Sequence, residues 1–396
     1  MARNGKESIS YHGMLLQAFK QVIIPELDDN VVSLNCVRDV RCEPDMVALD
    51  IVLPTFALAS EKRVAAQLHR AAVAVLPKQT HLRLNMHAQV EPAVSQSLCR
   101  EGVADVKNII LVASGKGGVG KSTVAAATAV ALARLGCSVG LLDADVHGPS
   151  IPTLFGVGAD QRVAGVQEEK TESKWMLPIE RHGVRLMSMG FLVEPKQAMI
   201  WRGPILASAC TQMFYNVAWG DLDYLIVDLP PGTGDIQLTI AQKVTAAGCL
   251  LVATPQQVAL ADVVRAKAML DRLRVPILGL VENMSGFVCD GCGKRHDIFP
   301  CGGAEAAARE LNVPFMGAIP LEPGLLSASD AGEPVVTGES LSPAGKAFFR
   351  IAHDLAATLA RAARRREQHQ PPATTPPEEQ PRRVNQDGKK RLPVLS

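Results

Sequence analysis

Apolar positions recur at helical spacing through Met14, Leu15, Ala18, Phe19 and Val22, which predicts an opening helix. Apolar runs at Val31–Val37 and Met46–Leu53 predict two strands. Residues 61–76 are Ala-rich with helical periodicity, and Leu82–Val90 reads as a closing strand. Residues 1–98 therefore form one small α+β domain by this reading. The polar stretch SQSLCREGVADVKN follows as a linker.

From residue 105 to 363 the pattern changes. Apolar runs occur at Ile109–Ala113, Val139–Leu142, Val184–Met187, Tyr224–Val227, Cys249–Ala253 and Ile277–Val281, with helical segments between most of them. Buried strands alternating with helices predict a parallel sheet with helices on both faces. Ligands in such folds sit at the carboxyl ends of the strands. A last amphipathic helix is expected over residues 344–363, with Phe348, Ile351, Ala352, Leu355 and Leu359 on one stripe. Residues 364–396 are Pro-rich, polar and basic, and are expected to be a disordered tail.

Composition narrows the class. Apolar residues make up 47% of the 396 and charged residues 20%, enough to bury a large core, so a wholly disordered or collagen-like chain is excluded. Lys and Arg total 41 against 40 Asp and Glu, a net charge of +1, which gives no basis for a whole-surface nucleic-acid binder. The longest apolar stretch, Val124–Ala133, meets Arg134 well short of the roughly 20 residues of a membrane span. The opening MARNGKESISYHG has no apolar signal core, so the expectation is a cytoplasmic protein with no membrane or nucleic-acid partner. Nine cysteines then read as thiols or metal ligands rather than disulfides.

The strongest motif is Gly115-Lys116-Gly117-Gly118-Val119-Gly120-Lys121-Ser122-Thr123, between a strand and a helix. Its spacing fits a phosphate-binding loop, in which glycines let backbone N–H groups converge on phosphates at a helix N-terminus. Lys121 should reach the terminal phosphates and Ser122 should bind Mg²⁺. The extra Lys116 resembles the deviant Walker A loop of the SIMIBI ATPases, the MinD, ParA and nitrogenase iron protein group. That resemblance implies a lysine reaching across a homodimer to the partner's nucleotide. Two strands end in carboxylates, at Asp143 and Asp145 and at Asp228. Asp228 resembles a Walker B residue orienting Mg²⁺ through water, and Asp145 the water-positioning residue of a D-x-D switch, with Asp143 nearer the metal.

A Cys-x-x-Cys, Cys289 and Cys292, follows Asn283 in NMSGFVCDGCG. Two thiolates supply two ligands, whereas zinc and iron–sulfur sites usually want four. A twofold dimer would supply the other two. The residues leave other readings open: a redox disulfide, or half a zinc site completed by His296 or Cys301. Cys137, Cys210 and Cys249 read as core, and Cys36, Cys42 and Cys99 are scattered through the first domain and linker.

The set GKGGVGKST, LLDADVHGPSIP, WRGPI, DYLIVDLPPGTGD, TPQQVALADVVRA, VENMSGF and CDGC resembles the Mrp/Nbp35 (ApbC) family of iron–sulfur cluster carrier ATPases across about residues 105–360. The resemblance implies a P-loop NTPase of SIMIBI, MinD/ParA-like fold that hydrolyses ATP. It implies that Gly115 to Thr123 hold ATP and Mg²⁺, that Asp145 and Asp228 serve hydrolysis, and that Asn283 contacts adenine. Cys289 and Cys292 would hold a labile [4Fe–4S] cluster across a homodimer. The cluster would pass to apo iron–sulfur proteins, with scaffold proteins as further partners. Asp235 would couple nucleotide state to the rest. The alternatives are a MinD/ParA-type positioning ATPase and an ATPase with a structural zinc. The first domain resembles the MIP18-type (DUF59) domain, although LPTFALASE lacks that family's Cys. In FPCGGAE, Cys301 replaces a residue of a Gly-rich run.

Overall fold

The computed structural model of the chain describes residues 4–43, 45–95, 103–145, 148–158, 165–167, 174–191, 203–289, 291–299 and 302–369. The first domain opens with helix α1 (Asn4–Phe19), then strands β1 (Val37–Cys42) and β2 (Met46–Leu53), helix α2 (Glu61–Val75) and strand β3 (His81–Ala88). β2 is central, antiparallel to β1 and parallel to β3. Side chains alternate along a strand, so Val47, Leu49, Ile51 and Leu53 all face inward. There they meet Val64 and Leu68 of α2 and Leu15 and Phe19 of α1 in one core.

The strand expected over Val31–Val37 does not form. Residues 31–35 turn instead, and pairing begins at Val37. Asn30 Oδ1 accepts from Val32 N at 3.1 Å and Ser33 N at 2.9 Å, and Asn35 takes a left-handed φ of 53°. A side chain that satisfies nearby backbone in this way competes with a sheet ladder.

The second domain runs β4 (Val106–Ala113), α3 (Lys121–Arg134), β5 (Val139–Asp143), β6 (Ile179–Arg181), β7 (Val184–Ser188), α4 (Gly203–Tyr215) and β8 (Leu222–Asp228). It continues with α5 (Asp235–Lys243), β9 (Gly248–Ala253), α6 (Gln257–Arg272), β10 (Ile277–Val288) and β11 (Arg295–His296). It closes with α7 (Gly303–Glu310), β12 (Phe315–Leu321), α8 (Pro323–Asp330) and α9 (Pro343–His369). The strands form one sheet in the order β6-β7-β5-β8-β4-β9-β10-β11, with β12 also paired to β10. Pairing is parallel except at β6 and β11. All eight residues of β4 but Lys107 are buried, as a strand covered on both faces requires. One apolar core lies between the sheet and α3 with α9, and the other between the sheet and α4, α5, α6 and α7.

Each strand expected in this domain is present. β12 had no counterpart in the periodicity, and β10 runs seven residues past the expected end at Val281, to Val288. The expected helix stripe is buried: Phe348, Ile351, Ala352, Leu355 and Leu359 are each at most 1% exposed. The helix itself continues to His369, into the segment expected to be tail. The first domain holds these added turns. Arg364 Nη2 donates to Asp29 Oδ2 at 2.7 Å, and Arg366 Nη1 to Val94 O at 3.0 Å. Residues 370–396 lie outside the described residues. Among the described residues no helix is long and apolar enough to cross a membrane.

Candidate functional site

Strand register builds the site. β8 lies between β4 and β5 in parallel, with Asp228 level with Asp143 on one side and Val112 on the other. The carboxyl ends of three neighbouring strands thus bring both acids beside the loop that follows β4.

The loop's glycines have distinct physical roles. Gly118 and Gly120 both take φ +77°, a left-handed conformation that a side chain disfavours. Gly118 faces open space, whereas a Cβ on Gly120 would lie 2.2 Å from Asn283 Nδ2. A Cβ on Gly115 would fall 2.3 Å from Asp262 Cβ, so the loop is pressed against α6. Ser114 Oγ donates to Lys116 O at 2.9 Å, and Gly232 N donates to Ser114 O at 3.1 Å, tying the loop to the PPGTG segment. Gly117 and Gly118 are exposed, Lys116, Ser122 and Thr123 half-buried, and Val119 buried.

Lys121 is the first residue of α3 and points into the protein. Its Nζ donates to Asp228 Oδ1 at 2.5 Å and lies 3.3 Å from Ser122 Oγ. The lysine side chain is 6% exposed and that of Asp228 is fully buried. Burial pushes the Asp228 carboxyl up, and the Lys121 ammonium opposes the rise. The second oxygen, Asp228 Oδ2, is buried and has no hydrogen-bond partner among the described residues. A buried carboxylate oxygen in that state is costly unless a ligand shares it.

Asp143 is equally buried, yet both its oxygens are engaged. Oδ1 accepts from Asp145 N at 3.1 Å, and Oδ2 from Ser188 Oγ at 3.0 Å and Ile151 N at 3.2 Å. Burial first, and then the charge of Asp228, push the Asp143 carboxyl up to about 7. Asp143 therefore shapes the turn that carries Asp145, which is 9% exposed. Ser188 was missed in the sequence. Its signal was its place just after a predicted strand, and the register sets it level with Asp143.

Asn283 lies under the loop, its Nδ2 donating to Val119 O at 2.9 Å. Asp235 begins α5 after Gly234, but its side chain lies outside the described residues. Val146, His147, Trp201, Arg202 and Cys99 also lie outside them.

The thiols occupy the turn between β10 and β11. Cys289 N donates to Lys294 O at 3.0 Å and Gly293 N to Cys289 O at 2.7 Å, with Gly293 at φ +68°. Cys289 is half-buried and Cys292 exposed. Among the described residues no group of three or more His, Cys, Asp and Glu could hold a metal ion. His296 is exposed on β11, and its ring lies near Phe287, with centroids 6.4 Å apart. Cys301 lies outside the described residues. Cys137, Cys210 and Cys249 are buried in the core, as expected.

Residues 105–356 match the family model of the NUBPL iron-transfer P-loop NTPase, and residues 14–81 that of an iron–sulfur cluster assembly protein. An iron–sulfur cluster carrier protein of Synechocystis is 43% identical over 351 residues, 88% of this chain and 98% of that protein. One from Escherichia coli K12 is 38% identical over 339 residues, 85% of this chain and 89% of that protein. Among solved structures, a nucleotide-binding protein from Archaeoglobus fulgidus in complex with ADP is 40% identical. It superposes with a TM-score of 0.52, covering 60% of this chain and 92% of its own. The loop, the carboxylates at the strand ends and a family match spanning the whole sheet agree: this chain belongs to the NUBPL-type iron-transfer P-loop NTPase family.

Proposed function

We propose that the chain is an ATP-dependent iron–sulfur cluster carrier, with Cys289 and Cys292 holding the cluster as cargo. The observation that supports this most is a shared strand. β10 passes beneath the phosphate loop at Asn283 and ends beside Cys289, so one element serves both the nucleotide and the thiols.

The backbone N–H groups of Gly115 to Gly120 cradle the phosphates, with the N-terminus of α3 behind them. Ser122, Asp143 and Asp228 form the metal side, and the orphaned Asp228 Oδ2 fits a hydrated Mg²⁺. When bound, that ion would neutralise charge on the phosphates. Lys121 changes partner. Its ammonium, 2.5 Å from Asp228 Oδ1, turns to the terminal phosphates when ATP binds and leaves Asp228 to accept from water. Asp145 orients the attacking water, whose oxygen bonds to the terminal phosphorus as the bond to the ADP oxygen breaks. Catalysis is mostly positioning and charge neutralisation. Asn283 can still use its amide toward adenine, because an amide donates twice and accepts as well.

Two thiols per chain call for a homodimer around one [4Fe–4S] cluster, with Lys116 reaching the partner's nucleotide. Apo iron–sulfur proteins receive the cluster, scaffold proteins are further partners, and the setting is the cytoplasm. The positioning reading needs a free apolar helix face, and the stripe of α9 is spent on the core. Anaerobic reconstitution with iron and sulfide tests the proposal. The wild type should bind about four irons per two chains, and Cys289→Ala should bind none while keeping ADP affinity. A full cluster on Cys289→Ala, or on a strictly monomeric wild type, refutes it.

A further inference from the structure

We propose that the segment Asn283–Cys289 carries the state of the phosphate loop to the two thiols, and that Ser285 and Arg295 are the positioning residues of this link. The inference rests on Cys289 and Cys292 being the cargo ligands.

The chain of contacts is continuous. At the loop end, Asn283 Nδ2 holds Val119 O at 2.9 Å, and the space over Gly120 is too small even for a Cβ. A shift of Gly120 on phosphate binding therefore displaces Asn283. Glu282, fully buried, is the fixed post beside it. Its Oε2 accepts from Ala304 N at 2.9 Å at the start of α7, and its Oε1 from Ser285 Oγ at 2.5 Å. Ser285 Oγ also accepts from Arg295 Nη2, at 3.4 Å, on the other strand of the thiol hairpin. Arg295 pairs across that hairpin with Val288, the residue before Cys289.

The segment is built to move. Its register with β12 breaks between Asn283 and Phe287, so the ladder does not pin residues 284–286. Met284 sits at φ +59° and Gly286 at φ +74°, two left-handed residues inside one strand. A Cβ on Gly286 would lie 2.9 Å from Arg295 Nε, so rotation there meets the arginine at once. A bulge bends its strand and re-aims the chain beyond it, and beyond this one lies the thiol turn. Ser285 and Arg295 make this rotation transmissible: Ser285 ties the bulge back to Glu282 on its own strand, and Arg295 ties it across to the other strand of the hairpin.

The test uses the full-length, reduced, cluster-free protein and reads the alkylation rate of Cys292 without nucleotide, with Mg·ADP and with a non-hydrolysable Mg·ATP analogue. The wild-type rate should change about fivefold between states, the low end of ordinary coupling. In Ser285→Ala and Arg295→Ala the ratio should fall to about one, with nucleotide affinity and ATP hydrolysis within about twofold of wild type. Ser285→Thr, which keeps the hydroxyl, should restore the ratio. A wild-type ratio of about one, or variants that keep the wild-type ratio, overturns the proposal. If the variants do not fold, amide exchange of residues 284–288 in the wild type decides. Protection that changes with nucleotide supports the link, and unchanged protection overturns it. Failure of the carrier reading shows separately, as a full cluster retained by Cys289→Ala.

Discussion

Gly118 and Gly120 share a backbone conformation but not a neighbourhood, which allows strain to be separated from packing. Both sit at φ +77°, so alanine at either costs about 1–2 kcal/mol for a Cβ in the left-handed region. At Gly118 nothing among the described residues lies within 4 Å, and the cost should end there. At Gly120 the new Cβ would meet Asn283 Nδ2 at 2.2 Å, where ordinary contact begins near 3.4 Å. Asn283 must then give up Val119 O inside a buried site, a further loss of about 1–3 kcal/mol. Gly120→Ala should therefore destabilise by about 2–5 kcal/mol and Gly118→Ala by about 1–2. Urea unfolding followed by tryptophan fluorescence measures both. In an Asn283→Ala background the clashing amide is gone and the next contact, Met284 Cε, is at an ordinary 3.9 Å, so the Gly120→Ala penalty should shrink toward that of Gly118→Ala. Equal penalties for the two single variants, or no shrinkage in the Asn283→Ala background, would refute the packing of Asn283 under the loop.

The same geometry sets three further outcomes. Lys121→Ala removes the cation facing the fully buried Asp228, so it should cost about 3–5 kcal/mol in unfolding experiments and abolish ATP hydrolysis, while iron and sulfide still load onto the protein. Phe348→Ala empties a wholly buried site between α9 and the sheet and should cost about 3–5 kcal/mol by urea unfolding; a loss near zero would show that α9 is not part of the core. Burial holds the Cys36, Cys137 and Cys210 thiols up at about 11, so roughly one part in a thousand is thiolate at pH 8. Because a raised thiol pKa keeps the unreactive protonated form through neutrality, iodoacetamide at pH 8 should label exposed Cys292 first and reach those three only as the pH nears 11. Peptide mass mapping over time checks the order, and early labelling of Cys137 contradicts it.

The phosphate loop was legible in sequence because its chemistry is local. Nine consecutive residues fix their own backbone, and glycine marks where φ must turn positive. Asp228 was legible because a buried strand ends in a carboxylate. Its pairing with Lys121 was not, since that depends on β8 settling beside β4 in one register. Ser188 and Glu282 were invisible for the same reason: their partners lie 45 residues away, on Asp143, and 22 residues away, on Ala304. The Val31–Val37 run misled because β-propensity lost to the Asn30 side chain, which offers the backbone an immediate partner. The arginines at 364 and 366 read as solvated charge until the first domain supplied Asp29 and a carbonyl at Val94.

The reach of α9 bears on how the chain is made. Ala357 joins the first domain's core, His353 Nδ1 is 2.8 Å from Ala57 O, and Arg361 Nη1 donates to Glu26 O at 2.7 Å. On its other side the helix covers α3, which carries Lys121. During translation α3 thus leaves the ribosome about 210 residues before its capping partner is synthesised. Until then an apolar seat on α3 stays open to water, and the nascent protein is most in need of chaperone cover during that interval.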